Sequence, residues 1–250
     1  MKTNKLLMAS SLACVMAGSS HAGLVAHYEF NGDLTDSSGN GNTATLVDGS
    51  GGSSTNTGGK LTLIHATNSG SNTEYVDTGV TPSTTAGTIA FFYTNTGIGG
   101  NHYSYNSTYS NAANGDDWEM WSYSDGRVRS RIESGTQSEL QTPTIPNAVI
   151  GQEYHYAFTW VDTAGTVTYK GYVDGVLITT DTGGQAPSVG ALYIGGGNNN
   201  HGANGIYGDF RIYDNTLDDA AVAALAVPEP SSAALLGLGG LALILRRRKG

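Results

Sequence analysis

Two groups of residues carry the chemistry open to this chain. Asp36-Ser37-Ser38-Gly39-Asn40-Gly41-Asn42 crowds oxygen-bearing side chains together with residues that tolerate left-handed backbone. The second group is aromatic: Asn101 to Gly115 (NHYSYNSTYSNAANG) supplies Tyr103, Tyr105 and Tyr109, and Trp118, Arg129 and Arg131 follow. Aromatic faces beside polar groups suit sugars, whose rings stack while their hydroxyls take hydrogen bonds. Catalytic patterns are missing. A retaining glycosidase needs two carboxylates about 5 Å apart; Asp116-Asp117-Trp118-Glu119 comes nearest, but the expected register turns Glu119 toward the core. There is no Gly-x-Ser-x-Gly elbow or His-Glu-x-x-His run, and Gly195-Gly196-Gly197 lacks the lysine of a phosphate loop. His27, His65, His102, His155 and His201 lack the paired spacing of zinc ligands. His155 sits in a strand and reads as a packed residue, not a base. No catalytic residue is assigned.

The elements that must position these groups are strands. Tyr154, Tyr156, Phe158 and Trp160 alternate with smaller residues, and a side-chain period of two puts the aromatics on one face. Asp162 to Gly165 leads into a second strand, and Asp174-Gly175 is a two-residue hairpin turn that pairs Val173 with Val176, Tyr172 with Leu177 and Gly171 with Ile178. These three strands are expected to form the middle of a sheet whose aromatic face needs a partner sheet, hence an antiparallel β-sandwich. Ser124-Asp125-Gly126 is a second Asp-Gly hairpin; pairing Ser124 with Arg127 places Trp121, Tyr123, Val128 and Ile132 on one face and Trp118, Met120, Arg129 and Arg131 on the other. Gly23 to Phe30, Leu61 to Ile64, Glu74 to Thr78, Gly87 to Thr94, Ala191 to Gly195 and Gly208 to Asp214 read as further strands. Residues 48–60 and 101–115 read as loops, and Leu217 to Leu225 as a short helix capped by Asp218.

Composition agrees: 36 glycines and only 13% charged residues fit many turns between short strands, not helices with charged outer faces. Residues 1–22 carry Lys2 and Lys5, an apolar run and Ser20-His21-Ala22, the pattern of an export leader. The single cysteine, Cys14, lies within it, so the exported chain is expected to hold no disulfide or thiolate. At the other end Val227-Pro228-Glu229-Pro230 stops the domain, Ala233 to Leu245 is apolar, and Arg246, Arg247, Arg248 and Lys249 form a basic cluster expected to stay cytoplasmic. Without both ends, residues 23–226 hold six basic and 20 acidic residues, a net charge of −14. Such a surface repels nucleic acid and anionic lipid and favours neutral glycans or divalent cations.

Two resemblances follow from these residues. Pro228-Glu229-Pro230, the short apolar helix and the Arg246-Arg247-Arg248 cluster, in that order, resemble the PEP-CTERM sorting signal over residues 227–250. That implies an exosortase-type partner, membrane anchoring through the tail in transit, and delivery to the cell surface or an extracellular matrix. YEFNGDLTDSSGNGNTAT, EYHYAFTWVDTAGTVTYKGYVDGVLI and YIGGG followed by GDFRIYDNTLDDAAVAAL resemble the laminin G-like, concanavalin A-like jelly roll over residues 23–226. The resemblance implies two antiparallel sheets of six or seven strands with the first and last strands adjacent. It also implies one structural Ca²⁺ at the rim, with Asp36, Asn40, Asn42 and Asp209 as ligands, the alternative being a hydrogen-bonded turn without an ion. Trp118, Tyr103, Tyr105, Tyr109 and Arg129 are the expected contacts to glycan or exopolysaccharide. The alternatives are a structural matrix protein without a defined ligand and a polysaccharide hydrolase or lyase.

Overall fold

A hairpin turn needs two residues that accept positive φ, and this chain supplies such pairs repeatedly. Asp174 and Gly175 (φ 48° and 75°), Ala164 and Gly165 (54° and 83°) and Gly58 and Gly59 (62° and 79°) each reverse an antiparallel ribbon. The computed structural model describes residues 23–47, 52–64, 74–96, 105–112, 118–122, 128–132, 140–141, 149–183, 190–196 and 204–227. In chain order these contain β1 (Leu24–Tyr28), β2 (Thr45–Val47), β3 (Ser53–Thr57), β4 (Lys60–Ile64), β5 (Tyr75–Asp77), β6 (Ala86–Asn95), β7 (Tyr105–Ala112) and β8 (Trp118–Ser122). There follow β9 (Val128–Ile132), β10 (Leu140–Gln141), β11 (Glu153–Thr163), β12 (Thr166–Val173), β13 (Val176–Thr182), β14 (Gly190–Ile194), β15 (Gly205–Tyr213) and the helix α1 (Asp219–Leu225). The expected leader, residues 1–22, and the tail, residues 228–250, lie outside the described residues. Among the described residues no helix is long and apolar enough to cross a membrane.

The strands form two antiparallel sheets, an all-β jelly-roll sandwich. Sheet A runs β13-β12-β11-β6-β15-β4-β3, with β1 also paired to β15; sheet B runs β10-β9-β8-β7-β14-β5-β2. The first and last strands are adjacent, as expected: Tyr28 pairs with Phe210 and Leu24 with Tyr213. One edge of β15 serves two partners, β4 beside Gly205–Tyr207 and β1 farther along. Between the sheets lie Tyr28, Phe91, Tyr156, Phe158, Trp160, Tyr169 and Phe210 from A, and Val76, Met120, Leu192 and Ile194 from B. Each large side chain so buried contributes roughly 1.5–3 kcal/mol. Gly87 is the close approach in this core. A Cβ there would stand 2.1 Å from Trp160 Cζ2, and the indole is pinned by its Nε1 donating to Ser83 O at 2.9 Å. The outer face of sheet A is partly covered by α1, whose Val222 and Leu225 pack with Ala90, Ala157, Tyr172 and Tyr213. Asp218 caps the helix, accepting from Ala221 N at 2.8 Å.

Several expectations are corrected. The three aromatic hairpin strands do not form the middle of sheet A. β6 and β15, distant in sequence, occupy its centre, and β13 is an edge with Val176 62% exposed. Val173 and Tyr172 pair with Val176 and Leu177 as expected, but a bulge then matches Gly171 with Thr179. Ser53–Thr57, within the stretch read as loop, is edge strand β3, because the Gly58-Gly59 turn folds it onto β4. Likewise 105–112 is strand β7, held between β8 and β14. Its own residues are polar, so the ladder on either side makes it a strand. The sheets hold eight and seven strands, one more in A than expected.

The β8–β9 ribbon carries the most consequential difference. Met120 pairs with Ser130 and Trp121 with Arg129, a register one residue away from the Ser124–Arg127 pairing. A one-residue slip moves alternate side chains to opposite faces. Met120 and Ser130 are fully buried, and Ser130 Oγ meets Tyr169 OH of sheet A at 2.5 Å, so their face is the inner one.

Candidate functional site

The outer face of sheet B follows from the positions that face inward. Val76, Leu192, Ile194, Met120 and Ser130 are all at 0% exposure. Strand alternation therefore assigns Tyr75, Asp77 and Tyr193, and the strand positions of Glu119, Trp121, Arg129 and Arg131, to the opposite face. Position 109 joins them, because it pairs with Tyr193 on one side and Glu119 on the other. The Tyr75 and Tyr193 rings lie 4.7 Å apart between centroids, tilted by 40°. Burial, with the neighbouring Tyr193 and Asp77, pushes the Tyr75 phenol up, so it stays a neutral hydroxyl able to donate and accept.

Of the expected sugar contacts, positions 109 and 129 share this face. Positions 118 and 105 do not: 118 alternates with Glu119 onto the Met120 face, and 105 pairs with Ser122 of that same face. Tyr103 lies outside the described residues. Sequence reading passed over Tyr75 and Tyr193. Their signal was present, since Tyr75 precedes Val76 and Tyr193 sits between Leu192 and Ile194, but no use was made of the faces these neighbours define.

Glu119 was expected toward the core; the observed register puts its position on the outer face instead. It does not meet a second carboxylate there. Asp77 lies three strands away, about 14 Å at the usual strand spacing, against roughly 5–9.5 Å for a glycosidase pair. His155 is packed, as its strand position suggested. It is 2% exposed, edge-on to Phe92 with centroids 5.0 Å apart, and burial lowers its pKa to about 4.

The oxygen-rich loop folds around β1. Asp36 Oδ1 accepts from His27 N (2.9 Å) and Ser38 N (2.8 Å), and Oδ2 from Ser38 Oγ (2.8 Å) and Asn42 N (3.0 Å). Burial pushes the Asp36 carboxyl up, but these four donors outweigh it and hold the group below the usual carboxylate range. Asn40 Nδ2 donates to Leu24 O and Val25 O, and Asn42 Nδ2 to Val25 O. Asp209 belongs to a different contact. Its Oδ1 meets His27 Nε2 at 2.5 Å and accepts from Arg211 Nε at 2.8 Å, and it stands in a bulge of β15 with φ 47°. Asp36, Asn40 and Asn42 are thus brought together and Asp209 is held by the His27 ring. Four N–H and O–H donors on one carboxylate and a guanidinium on the other do not fit a Ca²⁺ cage, which needs six to eight free oxygen ligands. Among the described residues no three His, Cys, Asp or Glu side chains group to hold a metal ion.

Sheet pairing and the adjacent first and last strands define a jelly-roll domain. The chain belongs to the concanavalin A-like lectin/glucanases superfamily, whose sequence model matches residues 68–223. The PEP-CTERM protein-sorting motif matches residues 226–249, which marks an exported protein. Among curated proteins no relative matches the chain. Domain 4 of an extracellular GH43 arabinanase from Geobacillus stearothermophilus, solved in complex with arabinotriose, is similar at 20% identity and TM-score 0.60, over 82% of this chain and 99% of that one. The receptor binding domain of botulinum neurotoxin D is similar at 13% identity and TM-score 0.60, over 82% and 52%. The binding domain of Paraclostridial Mosquitocidal Protein 1 is similar at 16% identity and TM-score 0.56, over 82% and 52%. The chain spans about half the length of the two toxin domains. At these identities the likeness is one of fold.

Proposed function

We propose that this is a cell-surface or extracellular-matrix protein that binds glycan or exopolysaccharide without catalysing a reaction. On this reading an exosortase-type enzyme recognises Pro228-Glu229-Pro230 and processes the tail, after Arg246, Arg247 and Arg248 have held the chain at the inner membrane. The observation that carries the binding role is the half-buried Tyr75 on the outer face of sheet B, backed by the buried Tyr193 ring tilted 40° against it, while the core lies on the other side. Aromatic rings placed there offer what a sugar ring stacks on. The similar arabinanase domain holds arabinotriose, which supports a sugar for this chain as well.

A structural matrix role without a defined ligand is the second reading. It is favoured by β13, an edge strand among the described residues, carrying Val176, Leu177 and Ile178 at 62%, 39% and 43% exposure. Affinity electrophoresis of the full chain through gels containing neutral or acidic polysaccharides separates the two. Retardation by a polysaccharide supports the binding role; equal mobility in every gel, together with self-association in solution, supports the matrix role. Release of reducing ends from the retarding polysaccharide would replace both with a hydrolase.

A further inference from the structure

Where β1 begins, the chain lies in close contact with the residues that follow β15. Gly23 O accepts from Asp214 N at 2.8 Å, one step beyond the Leu24–Tyr213 pair. A Cβ at Gly23 would stand 1.8 Å from Asn215 Oδ1 and 2.8 Å from Asp214 Oδ1, and φ there is +87°. Glycine alone satisfies both conditions. The Gly23 nitrogen is bonded to the same Cα, so it lies at most about 4.3 Å from Asn215 Oδ1 and about 5.3 Å from Asp214 Oδ1.

Neither oxygen has a donor among the described residues. Asn215 Oδ1 is buried without a hydrogen-bond partner. The Asp214 side chain is exposed and has no partner there either, whereas every other carboxylate whose side chain is described has one. The backbone that presents them is fixed. Asn215 O accepts from Thr88 Oγ1 at 2.9 Å, and Leu217 N donates to the same hydroxyl at 3.0 Å, on a threonine that is fully buried. The charged groups nearest along these elements are engaged: Asp209 with His27 and Arg211, Asp218 with the first turn of α1, and Asp219 with Lys170. A carboxylate and an amide oxygen side by side suit a small cation with several N–H donors.

In the uncut chain the Gly23 nitrogen is a neutral amide with one N–H. Hydrolysis after Ala22, the last residue of the expected leader, changes it. The oxygen of water bonds to the Ala22 carbonyl carbon and the C–N bond breaks, leaving an Ala22 carboxylate and a Gly23 ammonium. That nitrogen then carries a positive charge and three donors that can rotate toward their acceptors.

We propose that Asp214 and Asn215 are the receiving site for the new N-terminus, a latch that closes when the leader is cut between Ala22 and Gly23. The proposal rests on the export-leader reading and is independent of the glycan site. It accounts for glycine at position 23, and it couples processing to the seam between the first and last strands. The cut position matters. A chain beginning at Ala22 carries its charge about 3.5 Å farther out, and one beginning at Leu24 has no Gly23 carbonyl for Asp214 N. A carboxylate partner raises an amine above its unfolded pKa of about 7.7–8.0. The latch therefore contributes fully below about pH 7.7 and is lost as pH rises through the raised value.

The test uses the full-length chain exported with its own leader. N-terminal sequencing is expected to find Gly23 first. Competitive labelling of the α-amine across pH is expected to place its pKa about one unit above that of the same protein in urea, a ten-fold shift in protonation. Asp214→Asn, an exposed substitution whose folding circular dichroism checks, should remove most of that shift. The wild type should melt at a higher temperature than Asp214→Asn at pH 7, and the two should converge above about pH 10. An amine that titrates alike in folded and unfolded protein, or alike in wild type and Asp214→Asn, overturns the latch and leaves the leader reading standing. A mature chain that starts at another residue overturns both.

Discussion

His155 offers the sharpest test of the packing. It is 2% exposed on the outer side of β11, edge-on to Phe92, and among the described residues its Nδ1 has no hydrogen-bond partner. Burial lowers its pKa from 6.5 to about 4, with the Arg211 charge adding to the effect and Asp209 opposing it. The folded protein therefore holds the ring neutral at a pH where the unfolded chain has already protonated it. Stability is unaffected above about pH 7, falls as pH drops from 6.5 toward 4, and stops falling on this account below 4. The full loss is roughly 3.4 kcal/mol, and about 2.5 kcal/mol of it is reached by pH 4.5. Urea unfolding of the wild type and of His155→Leu at pH 7 and pH 4.5, followed by tyrosine and tryptophan fluorescence, measures it. Leucine fills the site without a proton to bind, so the variant should lose about 2.5 kcal/mol less than the wild type between the two pH values. Carboxylates common to both proteins cancel in that difference. Equal losses would show that the ring is hydrated in the folded state and that the covering of sheet A is misread.

Three other substitutions probe the rest of the frame. Gly87→Ala drives a methyl group into the Trp160 indole, which has no room to turn, and thermal unfolding should show a loss of about 3 kcal/mol or no folded protein. Asp36→Ala strands four donors of the β1 loop and should cost about 3 kcal/mol at pH 7. The wild type should melt at the same temperature with Ca²⁺ or with chelator; a calcium-dependent rise that Asp36→Ala abolishes would reinstate an ion there. Asp218→Ala removes the cap of α1 and should cost about 1 kcal/mol in urea unfolding.

What the sequence disclosed depended on how local each interaction is. The Asp174-Gly175 turn, the alternation from Tyr154 to Trp160 and the Asp218 cap are decided by residues within a few positions of each other, and the structure contains all three. The place of β11–β13 in the sheet was not legible, because β6 and β15 come from far along the chain to fill the centre. Strand β7 is made of tyrosine, serine, threonine and asparagine with one alanine at its end. Read alone it resembles a loop, and only the ladders of β8 and β14 on either side make it extended. The β8–β9 register turned on a single residue, and what decides it is that Met120 and Ser130 must reach the core and Tyr169. That slip moved position 118 inward and position 119 outward. It explains why Trp118 was expected at the surface and Trp121 was not. In the Asp36 loop the residue types were legible and their use was not. The same oxygens serve an ion or a set of backbone N–H groups, and the nearness of His27 N to Asp36, nine residues away, settles the hydrogen bonds.

The central claim is that the outer face of sheet B is where glycan lies. Hydroxyl-radical footprinting of the full chain, with and without a retarding neutral polysaccharide, tests it directly. Protection should appear at Tyr75, while Val176 and Ile178 on β13 stay as reactive as before. Protection confined to β1 and the Asp36 loop, with Tyr75 unchanged, would contradict the claim and move the binding site to the rim.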